Sequence, residues 1–203
     1  MHTDTQAQAP AAQASAARAL RLKAASHATH ERLDQRIMAS QPFVHVGNYL
    51  KFLHVQHRFH HDISALYRHS LLQALVPDLS ARQRLQALEQ DLRDLGAEPE
   101  RLGAPALDAG LDLATAMGWL YVAEGSNLGG AVLFKLAGRL GLDEHHGARH
   151  LAAHPDGVLR HWRQFTDVLE LLPLNTVEEE RLFAGARAAF QRVHQHVDAV
   201  FAG

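Results

Sequence analysis

The stretch GWLYVAEGSNLGGAVLF, residues 118–134, sets Gly125, Gly129 and Gly130 inside an apolar segment with helical character. Each glycine in a helix interior costs about 1 kcal/mol relative to alanine, roughly 3 kcal/mol for the three, with no turn to require them. Two readings account for that cost. Small residues let two helices pack closely. Alternatively, Cβ-free positions one turn apart open a helix face onto which something flat can lie, and the adjacent Gly130 loosens the helix so that it can bend. Ser126 and Asn127 add small polar groups beside that face. The second reading suits a large planar ligand with a small polar molecule held between ligand and helix. Such a ligand suggests haem, and haem iron needs an axial ligand. The chain has no cysteine, so histidine is the natural candidate. Upstream, KAASHATHERLDQ offers His30 seven residues after Lys23, two helical turns, so both project from one face. A cation two turns from an iron ligand can reach a haem propionate. His27 is the nearest competitor, about 60° behind that face.

These residues need helices to hold them, and helical periodicity runs along almost the whole chain of 203 residues. A first helix is expected over about 15–39 and a second over about 45–73, where Phe52, Val55, Phe59, Ile63 and Leu66 recur at helical spacing. A third is expected over about 79–95, ended by Gly96 as a C′ residue. Residues 96–108 read as a loop, 109–141 as a long apolar helix carrying the glycines, and DEHHGARHLAA as a short helix or turn. Pro155 suits the first turn of a helix over 155–171. Thr176 and Glu179 have the spacing of a capping box for a last helix over 177–201. The fold class is therefore all-α, in one domain over 15–203. The Ala/Gln-rich residues 1–14 read as a disordered N-terminal leader.

Composition narrows the function classes. A formal net charge of −2 offers no basic field for nucleic acid. The longest apolar run, AMGWLYVA, falls well short of the ~20 residues a membrane span needs. The N-terminus lacks the basic start and apolar core of a secretory signal, and the lack of cysteine fits a reducing cytoplasm. The 16 histidines raise a non-haem metal alternative, with His57/His61 and His146/His150/His154 spaced i, i+4. A di-iron bundle needs Glu-x-x-His pairs, and none occurs. Nor does His-Glu-x-x-His.

HATHERLD and MGWLYVAEGSNLGGAVLFK together resemble the bacterial haem oxygenases, at their proximal-histidine and distal helices respectively. FLHVQHRFHHDISALYR and GARHLA also look like that family, and the resemblance covers most of residues 18–202. It implies a haem-oxygenase-like helical bundle with haem held between two helices. His30 would be the proximal iron ligand, and Gly125, Gly129 and Gly130 the wall of a glycine-kinked distal helix with Ser126 near its water network. Gln56 and His60 match outer distal hydrogen-bonding residues. Lys23 and Tyr121 match positions that touch the propionates. A branch cutting the ring elsewhere has a second lysine after the distal motif, whereas here Leu136 follows Lys135. That departure favours opening at the α-meso carbon. The implied reaction uses O2 and external electrons to convert haem into biliverdin, CO and ferrous iron. No flavin or nicotinamide motif is present, so the electrons must come from a partner such as a ferredoxin or a flavoprotein reductase. A bacteriophytochrome receiving biliverdin is a further conceivable partner. The alternative on the same fold is a non-catalytic haem carrier or sensor.

Overall fold

The structure, a computed structural model, describes residues 17–108, 110–154 and 157–202. The leader expected at 1–14 and Pro155 both lie outside the described residues. The described residues form seven α-helices with short 3-10 turns between them and no strand. The helices are α1 Arg18–Ala39, α2 Val46–Asp62, α3 Ser70–Leu75, α4 Leu85–Asp94, α5 Leu113–Gly138, α6 Val158–Leu171 and α7 Thr176–Phe201.

α5 is the axis of the bundle. From Ala114 to Glu124 every residue but Thr115 is buried, as a helix apolar all round must be. It crosses α7 at two glycines. A Cβ on Gly118 would stand 2.2 Å from the Leu182 carbonyl oxygen, and one on Gly185 would stand 2.6 Å from that of Thr115. These are the contacts that let the two backbones touch. α1 is fastened at both ends. Arg18 donates to the Leu169 and Leu172 carbonyls, Arg18 and Arg21 share Glu179, and Arg36 reaches Asp198 at 2.7 Å. The helix expected to present His30 is thus held against α6 and α7.

Several expected boundaries shift, each for a local reason. The second helix ends at Asp62, not at 73. There Asp62 takes hydrogen bonds from Arg192 and His196 of α7, and a 3-10 turn (Leu66–Arg68) and the short α3 follow. Ile63 and Leu66 stay fully buried, which is why the apolar period ran on past the helix. The third expected helix splits. Asp78 adopts φ +55°, Leu79–Arg82 is a 3-10 turn, and α4 begins only at Leu85. Gly96 has φ +77° just past α4, as a C′ glycine does. α5 starts at Leu113 because Asp112 caps it, accepting from the Thr115 amide at 3.2 Å, and it ends at Gly138 rather than 141. α6 starts at Val158. The capping box is Asn175 with Glu178, one residue before the expected pair, because Glu179 is already occupied by Arg18 and Arg21.

Candidate functional site

A cleft of about 1230 Å³ opens between α1 and the second half of α5, with α2 and α6 closing its ends. That exceeds the ~300–1,000 Å³ usual for small-molecule sites. It is mostly apolar, and Leu20, Met38, Leu128 and Val132, large side chains otherwise left in water, all face it. All nine residues singled out from the sequence line it: Lys23 and His30 from α1, Gln56 and His60 from α2, and Tyr121, Gly125, Ser126, Gly129 and Gly130 from α5.

On the α1 side, His30 is half-exposed, with Nδ1 3.3 Å from Asp34 Oδ2 and its ring edge-on to Phe190 at 5.2 Å. The carboxylate engages one ring nitrogen and leaves Nε2 for a ligand, the arrangement that orients metal-bound imidazoles. His27 also lines the cleft, but its Nε2 is the atom turned to Glu31, at 3.4 Å. Lys23 is exposed on the cleft and meets no carboxylate among the described residues.

The α5 side separates the two readings of the glycines. A Cβ on Gly129 would meet nothing within 4 Å, one on Gly125 would only touch the Trp162 ring at 3.6 Å, and one on Gly130 would lie 3.7 Å from the Leu151 carbonyl. None of the three is demanded by close helix packing; Gly118 and Gly185 are. α5 continues as an α-helix through all three, with Ser126 donating back to the Ala123 carbonyl at 2.7 Å. The glycines therefore floor the cleft with bare backbone. Tyr121 packs its ring on Trp162 at 5.4 Å, and burial pushes its phenol up, so it remains a hydroxyl donor. Lys135 is a further exposed cation on the cleft.

One corner of the cleft is polar, and two of its members escaped sequence reasoning. His60, Arg84 and His150 line it, and His60 Nδ1, Arg84 Nε and His150 Nε2 are buried without a hydrogen-bond partner. Asp91, fully buried on α4, accepts from the His150 amide at 2.9 Å and from its Nδ1 at 2.8 Å. A carboxylate only accepts, so the proton sits on Nδ1 and Nε2 presents a lone pair to the cleft. Burial holds both imidazoles neutral, pushing His60 down to about 3 and His150 down against the pull of Asp91. Buried donors and acceptors left over in this way call for ordered water or a ligand. The signal available in the sequence was GARHLA, where His150 stands, but nothing local marked Arg84.

A second concavity of about 380 Å³ lies between α2, residues 100–104 and α7. Its carboxylates are already used, Asp62 by Arg192 and His196 and Glu100 by Arg58. Among the described residues no group of three or more His, Asp or Glu could hold a metal ion, so the spare histidines form no such centre there. No helix among the described residues is long and apolar enough to cross a membrane.

The family model described as heme oxygenase matches residues 16–199. The chain is 41% identical over 186 residues to heme oxygenase PigA of Pseudomonas aeruginosa, covering 91% of this chain and 93% of that protein. A heme oxygenase of Xanthomonas campestris pv. campestris is 32% identical over 141 residues, 68% of this chain and 83% of its own. Among solved structures, the NO- and CO-bound heme oxygenase of Neisseria meningitidis superposes with a TM-score of 0.85 at 42% identity, covering 92% of each chain. That of Leptospira interrogans shares the fold, with a TM-score of 0.69 at 17% identity over 91% of this chain and all of its own.

Proposed function

The chain belongs to the haem oxygenase family, and from that premise we propose that it opens haem at the α-meso carbon, with His30 as proximal ligand and the glycine face of α5 as the distal wall. It is a haem-degrading oxygenase for which haem is both substrate and prosthetic group, with O2 as the second reactant. Bound haem supplies the iron that activates O2 and the ring that is cut.

The observation that carries this assignment of the site is the asymmetry of the cleft. One wall offers an imidazole nitrogen backed by Asp34, and the other offers no side chain at 125 and 129. His30 Nε2 would hold the iron, and Gly129, where a Cβ meets nothing within 4 Å, would leave room for a small diatomic molecule. Ser126, bonded to its own helix, presents no strong ligand there.

The polar corner handles protons. Arg84 Nε is a donor and His150 Nε2 an acceptor, both without a partner, and His60 is neutral, so water held among them would carry protons. Gln56 extends this set from the next turn of α2. The Tyr121 hydroxyl and the Lys23 ammonium, both on the cleft, would take the propionates and so set which way the ring is turned. The electrons come from an external donor, a ferredoxin or a flavoprotein reductase. We place the protein in the cytoplasm, with a bacteriophytochrome as one conceivable recipient of its biliverdin.

Haem-loaded protein supplied with ascorbate in air should lose its Soret band, turn green and release CO and ferrous iron. A stable Soret band under those conditions would instead fit the carrier or sensor alternative.

A further inference from the structure

Arg82 and Glu124 form an ion pair at 2.7 Å, with both side chains almost wholly out of water. The same guanidinium donates to three other groups: Pro77 O at 2.9 Å, His161 O at 3.3 Å and Gln164 Oε1 at 3.2 Å. A single side chain thus ties the 3-10 turn before α4, the middle of α5 and the first half of α6. The tie falls at a particular point. Glu124 directly precedes Gly125, and His161 directly precedes Trp162, whose ring faces Gly125.

From Gly125 to Gly129, α5 leaves the core, and buried positions resume at Gly130 and Ala137. Ser126, Leu128 and Gly129 are exposed on the cleft, and the glycines have no side chains to hold them. Glu124 is therefore the last strongly anchored side chain before the bare wall. Stability alone does not call for such a pair. Buried ion pairs are often replaced by apolar residues at no cost, whereas a pair with atoms left unsatisfied is costly. Glu124 Oε1 is buried and unsatisfied. What the pair offers in return is direction, since a forked guanidinium fixes the angles of its partners.

We infer that Arg82 and Glu124 are positioning residues that set the wall at Gly125–Gly129 against α6, and through it the way haem sits and which meso carbon faces the oxygen. This rests on the reading of the cleft as a haem site. The pair touches neither haem nor oxygen and acts through α5.

Three proteins test it: Glu124→Gln, Arg82→Lys, and the double variant Arg82→Met with Glu124→Leu. The double variant fills the same space without charge, so it should fold even if a single variant does not. Trp162 emission is read in haem-free protein carrying Trp119→Phe. The C–O stretching band is read in the CO complex, and the biliverdin isomers are separated by chromatography. In all folded variants Trp162 emission should shift to the red, the CO band should broaden or split, and a second isomer should appear. Haem affinity should stay within about tenfold. A double variant with the wild-type emission, one sharp CO band and the wild-type isomer profile would reduce the pair to mere packing and overturn the inference. If the wild type itself releases no biliverdin, the functional reading fails, and the emission and CO band still judge the pair.

Discussion

The Asp91 carboxylate, wholly buried on α4, holds both the amide and Nδ1 of His150 with one oxygen, at 2.9 and 2.8 Å. Its other oxygen takes Arg149 at 3.0 Å. Asp91 therefore decides which nitrogen of His150 carries the proton and which faces the cleft. Asp91→Asn should lower stability by about 1.5–3 kcal/mol, the range for hydrogen bonds to a charged group. It should also shift the pH at which iron-bound water ionises in ferric haem-loaded protein. Denaturant melts and an optical pH titration measure the two effects. An unchanged titration would remove His150 from the distal network.

His30→Ala should abolish turnover and the five-coordinate histidine signature of ferrous haem-loaded protein, with partial recovery on adding imidazole. His27→Ala should leave both intact, because its Nε2 is turned to Glu31. The reverse pattern would move the iron to His27.

The glycines should divide into two kinds. Gly118→Ala drives a methyl to within 2.2 Å of the Leu182 carbonyl and should cost about 1–3 kcal/mol or more of stability. Gly129→Leu meets nothing within 4 Å at Cβ and should leave the melting temperature nearly unchanged. The added leucine would fill the distal space, so haem oxidation should fall steeply while the His30 ligation spectrum persists. Wild-type turnover in Gly129→Leu would show that the wall does not border the oxygen site.

Stability of the haem-free protein should fall on acidification. Folded His60 titrates near 3, and burial also lowers His54, His57 and His150. Unfolded imidazoles titrate near 6.5. Between about pH 6.5 and 3 the unfolded chain binds protons that the folded chain refuses, so unfolding is favoured as pH drops. Asp94, held down to about 2 with hydrogen bonds from Gln90, Arg149 and the Gly147 amide opposing its desolvation, adds a further loss below about pH 4. Denaturation midpoints measured from about pH 7.5 down to 5 should show the slope, and His60→Gln should flatten it. An equal slope in that variant would assign the protons to other groups.

Regiochemistry tests the propionate contacts. Wild type should yield mainly α-biliverdin, and Lys23→Asn with Tyr121→Phe should divert part of the product while haem still binds. An exposed ion pair contributes only ~0.2–1 kcal/mol, yet 1.4 kcal/mol already changes a ratio about tenfold. Lys135→Ala should leave the isomer ratio unchanged. A wild-type product that is mainly another isomer would overturn the assignment of Lys23 and Tyr121.

The sequence by itself carried the relations that lie on one helix face. The two-turn spacing of Lys23 and His30, the adjacency of Gln56 and His60, and three unexplained glycines on one apolar segment are local relations. Helical geometry alone puts each set on a face, and the cleft gathers them all. The bounds of helices were less legible, because burial and helicity are separate demands. Ile63 and Leu66 continue the apolar period through a 3-10 turn, and Asn175 captures the capping box because tertiary partners claim Glu179. The tertiary structure alone decided which glycines are contacts and which are open, since Gly118 and Gly125 look alike until α7 and α6 are in place. It alone brought His150 to Arg84 and Asp91 at α4, and Arg82 to Glu124, from separate segments. Buried charges need partners with directed geometry. A chain can supply those partners from any distance along its length, so their pairing is settled only when the helices pack.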